Sequence, residues 1–239
     1  MDTEILRHIL SSQGAVDLEE LECNLGDASF VAEMIDSNDN LVVCSFNGTP
    51  RVVARCRVRL CRAKECPGCG GLHLCKNALL SGVCPFQQTR RGCSFSHDLN
   101  SESNMEVLRE FGLEALSRTE LCLLLLQSNN ALLPQVSICH DYNNRSGCPG
   151  NCQRLHVCER YLHRDCSCFR THDFSAAQPL QLLQEKHIPE HLVRVLKSVY
   201  ANKEALWLAD KENKESDGHE PVLLRQRSCS VNSIVFILT

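Results

Sequence analysis

Residues 61–97 have the sequence CRAKECPGCGGLHLCKNALLSGVCPFQQTRRGCSFSH, which contains two successive sets of three cysteines followed by a histidine. In both sets, three residues separate the last cysteine from the histidine. The same Cys-x3-His step occurs twice more in the chain, as CQRLH at 152–156 and CFRTH at 168–172. Four copies of one step in one chain indicate a repeated kind of site rather than chance.

Each set has the ligands that zinc prefers, because zinc is bound tetrahedrally by cysteine thiolates and histidine nitrogens. We therefore predict four structural zinc ions, with no coordination position left for a catalytic water. The four predicted sets are Cys61, Cys66, Cys69 and His73; Cys75, Cys84, Cys93 and His97; Cys139, Cys148, Cys152 and His156; and Cys158, Cys166, Cys168 and His172. The alternative is that these are buried free cysteines, which pack as small apolar side chains.

The fourth set leaves its ligands open. A single residue between Cys166 and Cys168 strains a tetrahedral site, so the alternatives are that His163 replaces one of them or that one of them is left unused.

This 239-residue chain has 17 cysteines, which could form disulfides or bind zinc. Disulfides persist in oxidising compartments and thiols stay reduced in the cytosol, so the location of the protein distinguishes the two roles. The N-terminal MDTEILRHILSSQG lacks the basic and apolar segments of a secretory signal. The longest apolar run, LCLLLLQ at 121–127, is much shorter than the ~20 residues that span a bilayer. We therefore expect a cytoplasmic protein, with the nucleus as a second location, no membrane association and zinc-bound thiolates.

Charge is strongly segregated along the chain, although the net charge is only −4. Residues 1–50 carry a net charge of −9, and residues 51–97 carry a net charge of +8. The basic segment coincides with the first two cysteine sets, which indicates a site for a polyanion.

The residue pattern predicts a small α+β fold whose fingers contain little regular secondary structure. Three helical patterns precede two strands, NLVVCSF at 40–46 and RVVARCRV at 51–58, joined by the hairpin signal Asn47-Gly48. This order predicts a winged-helix-like module. The predicted units are the winged-helix-like module (1–60), fingers 1 and 2 (61–97), a helical connector (98–138), fingers 3 and 4 (139–172), C-terminal helices (173–200) and a flexible tail (201–239).

The few aromatic residues of the fingers point to single-stranded RNA. A finger this small has almost no core, so metal fixes its fold and its rings are free to lie exposed. Phe86 and Phe95 flank ligands of the second finger, with Phe169 in the fourth, and exposed rings suit stacking by unpaired bases. The alternative role for Phe86 and Phe95 is to cover the zinc.

Basic side chains near the fingers would neutralise phosphates. Arg55, Arg57 and Arg59 alternate along the second predicted strand and are the leading set. The other predicted phosphate contacts are Arg62, Lys64, Lys76, Arg90 and Arg91.

Four segments resemble the N-terminal RNA-binding region of the zinc-finger antiviral protein and its CCCH-finger relatives among the poly(ADP-ribose)-polymerase-like proteins. They are LCRAKECPGCGGLHLCKNALLSGVC, GCSFSHDL, ELCLLLLQSNNALLPQVSICHDYN and LHVCERYLHRDC, and the similarity covers roughly residues 1–200. The resemblance implies a compact RNA-binding domain with a winged-helix-like start and four CCCH fingers.

The resemblance also implies a pocket for CpG-containing single-stranded RNA in the second finger, formed by Lys76, Phe86 and Phe95. Ser94 stands where the antiviral protein has a lysine, and phenylalanines replace its tyrosines, which leaves the CpG preference open. The WWE and ADP-ribosyltransferase domains of some relatives have no room in the 39 residues after position 200.

Two hypotheses of different classes follow. The first is a non-enzymatic, zinc-dependent module that binds single-stranded RNA, including viral CpG-containing RNA, in innate antiviral defence. The second is a zinc-finger scaffold that recruits proteins of RNA decay or of the ubiquitin pathway. The basic segment 51–97 favours RNA, since a scaffold does not need it. We expect no catalysis, because the sequence shows no open metal site, paired carboxylates or nucleotide-binding loop.

Overall fold

The computed structural model describes residues 2–63, 66–128, 137–144, 147–150 and 152–216. Lys64 and the end of the predicted tail, 217–239, lie outside these ranges. The described elements are, in chain order, α1 (Asp2–Ser11), β1 (Ala15–Asp17), α2 (Leu18–Leu25), α3 (Ala28–Ser37), β2 (Leu41–Phe46), β3 (Thr49–Ala54), α4 (Lys76–Ser81), α5 (Glu102–Glu110), α6 (Arg118–Ser128), α7 (His140–Asn143), α8 (Glu159–His163), α9 (Ala177–Glu185) and α10 (Glu190–Ser216). This is the small α+β composition predicted, while the winged-helix assignment and the domain boundaries stay predictions.

The predicted hairpin is present between β2 and β3. Asn47 and Gly48 have φ angles of 51° and 85°, which the tight turns that connect paired strands require. β1 pairs with the other edge of β3, so the antiparallel sheet has the order β1-β3-β2.

The second strand ends earlier than the sequence predicts, at Ala54 instead of Val58. The carbonyl of Ala54 accepts a hydrogen bond from Gln127 Nε2 (2.5 Å), and the amide of Cys56 donates to Ser128 Oγ (2.9 Å). Side chains at the end of α6 therefore provide the backbone of 54–56 with hydrogen-bond partners that a neighbouring strand would otherwise have provided.

One buried cluster joins the N-terminal module, the fingers and the helices. It includes Leu6 of α1, Leu79 of α4, Leu124 of α6, Leu155 of the third finger and Leu196 of α10. Residues 121–127 of α6 are all buried, which explains why the stretch 121–126 is apolar on every side of the helix. The finger pairs are thus fixed to a helical centre.

A buried polar network at Gln127 crosses this centre. Its Nε2 also donates to the carbonyl of Gly14 (3.1 Å), and Asn202 Nδ2 donates to its Oε1 (3.1 Å). Gly14 has a φ of 86°, and a Cβ added there would lie 2.1 Å from Gln127 Oε1. Glycine is required at position 14, because a side chain there would overlap Gln127 of α6 and the backbone has a positive φ.

Residues 201–216, predicted as the beginning of a flexible tail, instead continue α10. Ala205 and Leu206 are buried against Ala15, Cys44 and Val53 of the N-terminal module. The charged residues of this segment belong to a packed helix that also has an exposed side, so the polar composition does not indicate a flexible tail. Among the described residues, no helix combines the length and the apolarity needed to cross a membrane.

Candidate metal centres and nucleic-acid interface

Each predicted set of three cysteines and a histidine converges on one point. In all four sets the ligand atoms lie within 4.8 Å of one another. Zn–S bonds of about 2.3 Å at tetrahedral angles hold two sulfurs about 3.7 Å apart. Cys75 Sγ lies 3.7 Å from the Sγ atoms of both Cys84 and Cys93, so the geometry fits the predicted ion. The prediction of a zinc cofactor is confirmed by these four Cys3His clusters.

Fingers 1 and 3 share one construction. The amide of Cys61 donates to Leu72 O, and the amide of Cys139 donates to Leu155 O, each at 2.9 Å. These bonds belong to two isolated parallel bridges, Leu60–Leu72 and Ile138–Leu155. A short β-bridge next to the first ligand thus fixes the position at which the chain enters each of these two fingers.

Fingers 2 and 4 share a different construction. Cys75 and Cys158, their first ligands, stand at the N-terminal ends of α4 and α8. Their amides donate to Ser96 O (2.7 Å) and Thr171 O (2.8 Å), the residues immediately before the histidine ligands. These bonds hold the two ends of each finger together.

Two side-chain amides that the sequence analysis missed anchor the fingers to the following helices. Asn104 of α5 is fully buried, and its Oδ1 accepts from the amide of His73 (2.8 Å). Gln178 of α9 does the same for His156 (2.9 Å). The signal available in the sequence was a side-chain amide shortly after the last histidine of each finger pair.

Backbone hydrogen bonds favour the thiolate form at some of the ligands, whereas burial raises the pKa of Cys75 and of Cys139 to about 11. The backbone N–H of Arg170 is the main cause that lowers the pKa of Cys168 to about 6. The pKa of Cys148 is lowered in the same way, first by the backbone N–H of Gly150. A lowered pKa supplies the deprotonated ligand at neutral pH.

Both close cysteines of the fourth set take part in its cluster, so the alternative with His163 is wrong. Cys158 Sγ lies 3.8 Å from Cys166 Sγ and 3.5 Å from Cys168 Sγ. His163 instead forms an ion pair with Glu204 of α10.

Tyrosine rings lie against two of the histidine ligands. Tyr142 stacks on His156 with ring centroids 4.7 Å apart, and Tyr161 stacks on His172 at 5.0 Å. These contacts fix the ring orientation of both ligands, and the sequence analysis did not identify them.

The second finger carries an exposed loop between two of its ligands. All residues of 85–92, between Cys84 and Cys93, are exposed, and they include Phe86, Arg90 and Arg91. The ring of Phe86 is 57% exposed. Ser94 is also exposed. Phe95 is half-buried and packs against the cluster of Cys75, Ala78 and Cys84.

Two predicted phosphate contacts from neighbouring fingers interact electrostatically. Lys76 is the first residue of α4, and burial followed by the charge of Arg62 lowers its pKa. Arg62 belongs to finger 1 and is exposed. The junction of fingers 1 and 2 therefore concentrates positive charge.

The three arginines predicted to alternate on a strand lie beyond the end of β3. Cys56 and Val58 are buried, so Arg57 and Arg59 still face solvent along an extended segment. Arg55 forms an ion pair with Asp210 (3.3 Å). Their RNA contacts stay predictions, as do those of the other named residues.

The chain is similar to known CCCH-finger proteins. Residues 59–104 match the family model described as PARP12-like CCCH zinc finger tandem. Over 224 residues the chain is 34% identical to protein mono-ADP-ribosyltransferase PARP12 from Homo sapiens, which covers 83% of this chain and 32% of that protein.

Two antiviral proteins are similarly related. Zinc finger CCCH-type antiviral protein 1 from Rattus norvegicus is 34% identical over 219 residues, which are 84% of this chain and 28% of that protein. Zinc finger CCCH-type antiviral protein 1-like from Homo sapiens is 37% identical over 148 residues, which are 57% of this chain and 48% of that protein. The resemblance predicted from the sequence is confirmed. The chain spans about a third of the human PARP12 protein and less of the rat antiviral protein.

Proposed function

We propose that this chain is a zinc-dependent, non-enzymatic module that binds single-stranded RNA at its second finger and acts in antiviral defence in the cytoplasm. The names of the antiviral relatives support the biological setting. The observation that carries the proposal is the exposed loop 85–92, which two ligands hold at its ends and which presents a ring and two guanidinium groups.

The chemistry of this loop matches an unpaired strand. A base stacks on an exposed aromatic ring such as Phe86, while guanidinium groups neutralise the adjacent phosphates. Arg62 and Lys76 add two charges held close together, and bound phosphate would reduce their mutual repulsion. A duplex, whose bases are stacked inside, cannot use the ring.

Metal enters this function as a support for the loop. When bound, zinc fixes Cys84 and Cys93 relative to each other and adds no reaction of its own, because all four ligands come from the protein. The residues of 85–92 then bind RNA with little loss of conformational entropy.

The test is a fluorescence-anisotropy titration of the zinc-loaded protein with four probes: single-stranded RNA containing CpG, the same RNA with each CpG reversed to GpC, single-stranded DNA and duplex RNA. We expect single-stranded RNA to bind more tightly than duplex RNA, and chelation of zinc to abolish binding. Tighter binding of duplex, or equal binding without zinc, would contradict the proposal.

Recognition of CpG is a separate proposal that the same titration tests. The exposed Ser94 lies next to the ligand Cys93 in the second finger. We expect Ser94→Lys to strengthen RNA binding and to increase the ratio of CpG to GpC affinity. An unchanged ratio would show that position 94 does not contribute to CpG recognition.

The transferase activity in the name of the human relative is not assigned to this chain, which spans 32% of that protein. The alternative function, a scaffold for proteins of RNA decay or the ubiquitin pathway, needs a protein-binding surface.

A further inference from the structure

The first three helices form an apolar groove on the N-terminal module. The groove has a volume of about 480 Å³ and is lined by Glu4, Ile5 and His8 of α1, Leu21, Asn24 and Leu25 of α2, and Phe30 of α3. Phe30 is 41% exposed and Leu25 is 38% exposed. Two large apolar side chains from adjacent helices are thus accessible at one place.

The groove is formed before any partner binds. Gly26 ends α2 with a φ of 87°, and its amide donates to Glu22 O (2.8 Å). Asp27 then caps α3 by accepting from both the amide and the hydroxyl of Ser29, each at 2.9 Å. These bonds fix the turn between Leu25 and Phe30, which both line the groove.

The N-terminal segment that carries the groove is strongly negative. Residues 1–50 contain ten acidic residues and one basic residue, Arg7. Arg7 forms an ion pair with Glu120 of α6 (3.4 Å), so it does not balance the acidic groups of α2 and α3. Glu4 lines the groove, and Glu33 is exposed one helical turn after Phe30.

An apolar groove on an acidic module is unsuited to RNA and suits one class of protein partner. An acidic surface repels phosphates, so the groove does not extend the RNA site. Apolar grooves bind amphipathic helices through large side chains at helical spacing. An acidic rim adds attraction and orientation for lysine and arginine side chains on such a helix.

We propose that the groove between α1, α2 and α3 binds a basic amphipathic helix of a partner protein. Leu25, Phe30 and Ile5 contact its apolar side chains, and Glu4 and Glu33 pair with its basic side chains. This surface goes beyond the proposed RNA binding and does not rest on it. It gives the module one face for a partner and a separate finger surface for RNA.

The probe for the test is a fluorescent peptide of about 16 residues, or roughly four helical turns, with leucines at helical spacing and lysines elsewhere. A second peptide carries glutamate in place of every lysine. We expect the zinc-loaded full chain to bind the lysine peptide and not the glutamate peptide. Phe30→Ser should weaken binding about tenfold, the effect of removing a central interface side chain.

Matched variants separate the groove from the rest of the surface. Val43→Ser, which changes an exposed apolar residue of β2, should leave peptide affinity unchanged. Glu4→Lys with Glu33→Lys should weaken binding without changing an apolar contact, which keeps the test decisive if Phe30→Ser fails to fold. The affinity for single-stranded RNA should stay at the wild-type value in Phe30→Ser.

Several results would overturn the proposal. They are equal binding of both peptides, no effect of the glutamate substitutions, and a loss of RNA affinity in Phe30→Ser. Dimerisation of the chain in analytical ultracentrifugation that Phe30→Ser abolishes would assign the groove to a second copy instead. None of these results bears on wild-type RNA binding, so the two proposals fail separately.

Discussion

Replacement of Phe86 by alanine separates RNA stacking from finger stability. The ring is 57% exposed, so less than half of its area is buried within the fold. Full burial of a phenylalanine contributes about 1.5–3 kcal/mol, so the expected loss of folding free energy is about 1 kcal/mol or less. Loss of a base–aromatic stack costs about 1–3 kcal/mol, or about 5- to 150-fold in affinity.

Phe95→Ala is the matched comparison, because this ring is half-buried against Cys75, Ala78 and Cys84. We expect it to lower zinc affinity first, with RNA affinity falling as a consequence. Competition with a chromogenic chelator measures the zinc affinity, and anisotropy with single-stranded RNA measures the RNA affinity. If Phe86→Ala keeps wild-type RNA affinity while Phe95→Ala loses RNA affinity with normal zinc affinity, the assignment of the two rings is wrong.

Three further changes test the metal sites and the helical centre. Chelation should remove hydrogen-exchange protection from 61–97 and 139–172 but spare α1, α6 and α10, whose buried leucines pack on one another; uniform loss would contradict this. His163→Ala should keep four zinc ions per chain by elemental analysis, whereas Cys166→Ser should lower the zinc content of the fourth site; the reverse would restore His163 as a ligand. Gly14→Ala should destabilise the fold by more than about 1 kcal/mol, since its Cβ would overlap Gln127 and its φ is positive, and an unchanged melting temperature would refute the close approach.

The sequence predicts the metal sites best, because ligand identity and order are local. The terminal Cys-x3-His step identifies all four clusters, and the Asn47-Gly48 turn identifies the hairpin. The end of β3 was not predictable from its own residues, since Gln127 and Ser128, distant in the chain, supply the partners that end it.

Tertiary contacts also explain why the predicted tail at 201–216 and the alternative ligand His163 were wrong. The charged sequence after residue 200 has the composition of a flexible tail, but Ala205 and Leu206 are buried against the N-terminal module. His163 has a plausible position for a ligand along the chain, but Glu204 of α10 holds it elsewhere. The roles of Asn104 and Gln178 could not be predicted, because the sequence does not distinguish an amide side chain that bonds a distant backbone group from one that faces solvent.

The salt dependence of RNA affinity tests the central claim most directly. Arg90 and Arg91 are exposed in the loop 85–92, so their replacement should leave folding intact, and Arg109 of α5 is an exposed arginine outside the fingers. Each phosphate contact to a single strand contributes about 0.7 to the slope of log K against log salt concentration. We predict that Arg90→Gln with Arg91→Gln lowers the magnitude of this slope by about 1.4 and that Arg109→Gln leaves it unchanged. An equal slope for the double variant and the wild type, or no salt dependence in the wild type, would contradict RNA binding at the second finger.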